Sequence, residues 1–199
     1  MQNAIDALRS SILRVRNLSG LHNALSSWTT KAVDTSDLLR DQIVLGVSAL
    51  DYYIHEITLL GMVEVFEGQR PPTPGFQKFK VSVSSMLNGY TSNDSSWFVS
   101  EIREQHSYKS FQDPEKIAEA IRLFSTVKLW HEVSALFRKP KEEIEAHLKQ
   151  IVKRRNQIAH EADIRAGYMD ERWPINAHDV DHAITFLLET CEHMHTVVG

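Results

Sequence analysis

In the stretch Val152 to Arg165, VKRRNQIAHEADIR, an arginine, an asparagine and a histidine stand together at Arg155, Asn156 and His160. A guanidinium stays protonated and grips two phosphate oxygens with a planar fork, whereas an imidazole titrates near neutrality. With an amide to orient one of them, these groups suit proton transfer and charge stabilisation at a phosphodiester. The arginine is also out of place. Ile144, Leu148, Ile151, Ile158 and Ala162 fall at helical steps along one apolar stripe, and Arg155 fills the slot between Ile151 and Ile158. Buried without a partner, it would cost on the order of several kcal/mol, so it must meet an acid, a cleft or a ligand. Asn156 and His160 share a helix face. Arg155 and His160 diverge by about 140°, so only the length of the arginine side chain lets both reach one groove. Arg154 is turned about 100° from the stripe and is expected to project into solvent, which leaves Arg155 as the arginine that does chemistry.

Other residues could serve the same site. Arg138, Lys139, Lys141, Lys149, Lys153, Arg154 and Arg155 crowd one region, interleaved with Glu142, Glu143 and Glu145. Most of these charges are expected to form a solvated helix face with spaced ion pairs, while Lys153 and Arg154 are candidates for holding substrate phosphates. Asp51 and His55, four residues apart, either form the opposite wall of a cleft or are one exposed helical pair. Glu161 and Asp163 flank His160 and either tune it or face solvent, with solvent expected for Glu161. His178 and His182 are at helical spacing, with Cys191, His193 and His195 beyond. No acid or thiol completes a tetrahedral set there, so neither a metal nor a cofactor is assigned. Trp28, Trp97, Trp130 and Trp173 read as core or interface aromatics, Trp173 lying close enough to the motif to stack on a base. The serine clusters show no partnered base.

The segment RNQIAH, Arg155 to His160, resembles the signature of the HEPN superfamily, an arginine followed by a polar residue a few positions before a histidine, late in an all-helical domain. The preceding FQDPEKIAEAIRLF, starting at Phe111, is similar to the RiboL-PSP-like branch. The resemblance implies a metal-independent endoribonuclease of the kind found among toxins and antiphage effectors, usually a homodimer that places two motifs across one cleft. It further implies His160 as general acid or base, Arg155 as the stabiliser of charge on phosphorus, Asn156 as an orienting group, and products ending in a 2′,3′-cyclic phosphate. RNA is then the substrate, and an antitoxin or defence-system protein is an expected partner. Members paired with a nucleotidyltransferase antitoxin often carry a tyrosine two residues after the histidine. Ala162 stands there, so silencing by adenylylation is not expected. The rival reading is a catalytically silent helical scaffold in which Arg155 anchors an interface.

The elements that must position these residues are helical throughout. Apolar spacing predicts helices over 3–28, from Thr35 or Ser36 to about residue 68, over 76–87 and 95–108, and from Asp113, where Asp-Pro is an N-cap followed by proline. A helix through the motif and a last one over about 175–198 follow, the latter with Val180, Ile184, Leu187, Cys191, Met194 and Val198 in one stripe. Pro71, Pro72 and Pro74 break the chain, and NGYTSNDSS at 88–96 reads as a loop. The expectation is a single all-α bundle of six to seven helices over 1–199. One cysteine excludes an internal disulfide and fits a cytoplasmic protein. No apolar run is expected to reach the length of a membrane span. A net charge of −4 gives no overall basic balance, so any contact with nucleic acid must be local.

Overall fold

Two long helices form the frame because their apolar residues recur every three to four positions without interruption. In the computed structural model, which describes residues 1–30, 33–91, 94–165, 167 and 171–199, α1 runs Gln2–Trp28 and α2 runs Ser36–Phe66. Ile5, Leu8, Ile12 and Val15 of α1 are buried, while Leu13 is exposed. Burial on α2 is broader than one stripe, because α1, α5, α6, α8 and α9 all pack on it. It is therefore the central helix. It is also long and apolar enough to cross a membrane by length and composition, which corrects the expectation that no run is. In this fold that apolar composition fills the middle of the bundle.

The remaining elements among the described residues are α3 (Pro74–Gln77), α4 (Val83–Thr91), α5 (Ser96–His106), α6 (Pro114–Ile121), α7 (Leu129–Phe137), α8 (Lys141–Glu161) and α9 (Ala177–Val198). Nine helices replace the expected six to seven because two segments divide. The helix expected over 76–87 is split at 78–82, where the Ser82 amide donates to Glu101 of α5 at 3.0 Å instead of continuing a helix. The segment from Asp113 bends after Ile121 into a turn that seats Phe124 in the core before α7 starts. Its start is as expected: the Asp113 carboxylate accepts from the Glu115 amide at 2.9 Å, with proline following. Of the loop expected at 88–96, residues 88–91 extend α4, and residues 92–93 lie outside the described residues. The whole predicted stripe of α9 is buried, including Cys191, whose thiol pKa is pushed up by burial.

Two close approaches fix α2 against its neighbours. A Cβ at Gly46 would lie 2.5 Å from Ile184 Cδ1, and one at Gly61 would lie 2.2 Å from the Phe124 ring. Neither position can carry a side chain without movement. Gly20, inside α1, meets nothing within 4 Å. Gly61→Ala is expected to cost about 1–3 kcal/mol through overpacking against the buried Phe124 ring. Gly20→Ala should be neutral or stabilise by up to about 1 kcal/mol through helix propensity. Urea unfolding midpoints of the two variants measure the contrast, and equal midpoints would remove the close-packing argument.

Candidate functional site

The motif occupies the last two turns of α8, and its position depends on how that helix ends. Ala162 and Asp163 both take left-handed backbone, with φ of 50° and 61°, so the chain turns sharply away after Glu161. Ala162 is exposed, and so does not complete the apolar stripe. Asp163 is turned inward and is 1% exposed. Its carboxylate accepts from Arg40 Nε of α2 at 2.7 Å and from Arg154 Nη2 at 2.8 Å, with a second bond from Arg154 Nη1. Both guanidiniums also donate to the Trp173 carbonyl, Arg40 at 2.9 Å and Arg154 at 3.3 Å. The Trp173 amide returns a bond to the Asp163 carbonyl at 2.9 Å, and Arg172 pairs with Asp34 and Asp37 at the start of α2. One buried carboxylate thus joins α2, α8 and the 171–174 segment. Residues 168–170 of that connection lie outside the described residues.

This corrects the expectation for Arg154. Its guanidinium does not project into solvent to hold substrate; it folds back onto Asp163, its pKa lowered by burial and raised in part by that carboxylate. The helical angle was right for its Cβ, but the long side chain follows the buried charge nine residues on. Asp163 likewise sits in an ion pair, whereas Glu161 is exposed as expected.

Arg155 is half-buried on the inner side of α8, below Ile151 and beside Ile158. Its Nη2 donates to the Gln112 side-chain oxygen, and its Nε is buried with no hydrogen-bond partner among the described residues. Gln112 in turn donates from Nε2 to Asp51 at 3.1 Å, and the same carboxylate accepts from the Phe111 amide at 2.6 Å. Asp51 is therefore neither a solvated flank nor a cleft-lining group. It holds the 111–112 segment, whose amide holds Arg155. His55 stands behind it, Nε2 3.2 Å from the Lys109 carbonyl and 3.9 Å from Asp51, its ring 4.6 Å from that of Phe111. A carbonyl only accepts, so the bond to Lys109 places a proton on Nε2. Gln112, which sequence reasoning missed, had one weak signal: it directly precedes the Asp113 cap and so starts from a fixed backbone.

Asn156, His160 and Lys153 are exposed on the outer face of α8. Asn156 and Lys153 line a groove of about 470 Å³ together with Gln112, Asp113, Lys149, Val152, Gln157 and Glu161. No side chain among the described residues bonds to His160, so within one chain the histidine and Arg155 are not linked. The structure brings Asn156, Lys153 and the Arg155 partner Gln112 to one groove, with His160 on the same helix face as Asn156. Asp51 and His55 support it from behind.

The sequence matches the RiboL-PSP-HEPN family over residues 9–199. The chain belongs to that family. No curated protein and no solved structure matches it. HEPN domains are commonly ribonucleases, which gives the groove beside the motif a chemical context. The HEPN fold here also accounts for the other candidates. Trp130 is buried, with Nε1 donating to the Pro114 carbonyl at 2.7 Å, and Trp97 packs on Phe66 and Phe98, whereas Trp28 is exposed. Trp173 is partly exposed beneath Arg165, whose guanidinium carbon is 5.2 Å from the ring centre. The His178 and His182 rings lie 4.4 Å apart, and no group of three or more potential metal ligands is assembled among the described residues.

Two outcomes follow for stability. Arg154→Ala leaves Asp163 with one partner in a buried setting, and Asp163→Ala leaves two guanidiniums facing each other; each is expected to cost about 3–5 kcal/mol, far more than a surface change. Thermal unfolding that shifts by less than a degree for both would contradict the clasp. The second outcome concerns His106, which packs against Phe79, Phe111 and His55 with neither ring nitrogen bonded among the described residues. Burial, then repulsion from Lys109 and His55, lowers its pKa from 6.5 to about 4. The folded state thus favours the neutral ring. That stability is complete above the unfolded pKa of about 6.5 and is lost as pH falls towards about 4, by at most about 1.4 kcal/mol per pH unit. His106→Phe should flatten the dependence of the urea midpoint on pH between 4.5 and 6.5.

Proposed function

We propose that this HEPN domain is a metal-independent endoribonuclease that cleaves RNA by transesterification at the 2′-hydroxyl, acting as a toxin or antiphage effector. The observation that carries the reading is the division of labour on α8: Arg155 is held inward by a neutral amide while Asn156 and His160 stay open on the groove side. In the proposed step an imidazole takes the 2′-hydroxyl proton, the 2′-oxygen attacks phosphorus, and the 5′-oxygen leaves with a proton from a second imidazole. The product ends are a 2′,3′-cyclic phosphate and a 5′-hydroxyl. Arg155 neutralises charge gathering on the phosphoryl oxygens, and Asn156 orients a ring or an oxygen.

The roles of base and acid fall on opposite sides of phosphorus, and one exposed His160 cannot fill both. A symmetric homodimer supplies His160 and the partner's His160 across one cleft. A silent scaffold is the second reading. The bond between Arg155 and Gln112 favours it to the extent that an arginine tied within its own chain is a structural anchor.

The two readings part on simple measurements. With purified chain and total RNA or tRNA, cleavage should persist in EDTA and leave cyclic phosphate ends, and His160→Ala should lower the rate by about 10²–10⁴-fold. Arg155→Ala should abolish cleavage with an unchanged melting temperature. Arg155→Lys should remain poor, because lysine keeps charge but loses the fork. Light scattering should give a dimer at micromolar concentration. An Arg155→Ala variant that unfolds, or that cleaves like the parent, would decide for the scaffold.

A further inference from the structure

The basic residues of α8 and of the turn before it are not equivalent in the folded protein. Lys139 pairs with Glu143 at 2.6 Å and Lys141 with Glu145 at 3.9 Å, as the spacing of the charges led one to expect. Lys149 and Lys153 make no ion pair among the described residues, are exposed, and both line the groove. Helical geometry places Lys149, Lys153, Asn156 and His160 on one ridge, at steps of four, three and four residues. Two unneutralised cations therefore run in file towards the histidine.

We infer that this ridge and its groove bind single-stranded RNA beyond the scissile bond, with Lys153 and Lys149 each holding a backbone phosphate. The inference deepens the endoribonuclease reading and rests on it for the location of the cut. Distance sets the register. At 1.5 Å per residue, Lys153 lies about 10 Å and Lys149 about 16 Å along the helix from His160. Successive phosphates of an extended strand are on the order of 6 Å apart, stretched from the 3.4 Å axial rise of a stacked one. The lysines then meet roughly the second and third phosphates from the cut. A duplex would present two rails of charge to a ridge one side chain wide, so an unpaired strand is the better fit.

The rest of the groove suits exposed bases. Its volume of about 470 Å³ is within the usual range of ligand sites, about 300–1,000 Å³. Val152 offers an apolar floor, and Gln157 and Asn156 offer amides that both donate and accept. The groove also holds two carboxylates: Asp113 accepts from the Glu115 amide as a helix cap, and Glu161, at the histidine end, can accept from a base N–H or a ribose hydroxyl.

The test measures binding and cleavage separately. The full chain is titrated with a fluorescent 2′-O-methyl hexanucleotide, which cannot be cleaved, at several salt concentrations. Lys149→Gln with Lys153→Gln should weaken binding about tenfold or more and reduce the slope of log Kd against log salt by about 1.4, two phosphates at about 0.7 each. The control, Lys139→Gln with Lys141→Gln, removes the same charge from paired positions and should leave the slope as in the parent. Unmodified hexanucleotide should be cleaved with a KM raised about tenfold by the ridge variant. An unchanged slope in the ridge variant, or an equal fall in the control, overturns the track. A parent chain that binds with the expected slopes but cleaves no RNA leaves the track standing and ends the endoribonuclease reading. Cleavage with no effect of the ridge variant does the reverse.

Discussion

The end of α8, and with it the position of the motif's last turn, depends on one buried carboxylate. Asp163 is enclosed and met by two guanidiniums from helices far apart in sequence, Arg40 on α2 and Arg154 on α8. Such a cluster is weak evidence for net stability, because desolvation offsets much of the attraction. Its effect is on specificity of position. α8 can end only where Asp163 reaches both partners, which requires the left-handed turn at Ala162 and sets His160 in the final turn. The Trp173 carbonyl, accepting from both arginines, ties the following segment to the same point.

The helices and the resemblance were legible in the sequence because both rest on short-range pattern. The stripe of α9, the long run of α2 and the Asp113-Pro114 cap are local features, and each appears where spacing placed it. The division of the 76–87 and 114–137 segments was not legible. It follows from long-range contacts, the Ser82 amide with Glu101 and Phe124 with the core, that outweigh helical continuity. At the site, the sequence placed Arg155 on a buried stripe but did not name its partner, since Gln112 is 43 residues away and an unremarkable amide. Arg154 departs from its helical angle because a Cβ direction says little about where a long side chain ends when a buried carboxylate lies within reach.

The two adjacent arginines show how neighbouring residues of one type acquire different work. Arg154 is neutralised by a carboxylate, so its charge is consumed in architecture. Arg155 meets a neutral oxygen, and its guanidinium makes no ion pair among the described residues. On the proposed reading that lack of an ion pair is the point. A carboxylate in place of Gln112 would hold the guanidinium equally well in space but would compete with a phosphate for it, and the pair would be most stable with no substrate bound.

The negative charge that orients this arrangement is instead set one step back. Asp51 holds Gln112 through its amide N–H and the Phe111 backbone, and the amide carries only orientation forward to Arg155. Because an amide has a donor end and an acceptor end, the bond to Asp51 dictates that the oxygen, not the nitrogen, faces the guanidinium. The helix bearing Asp51 is the buried centre of the bundle, so this support is as rigid as the core itself. Arg155 is thereby fixed in direction while keeping its charge and a buried Nε with no hydrogen-bond partner among the described residues. An arginine needed only as a packing anchor would gain more from a direct ion pair, and Asp51, already facing the 111–112 segment, is the carboxylate from which this fold separates it by one amide.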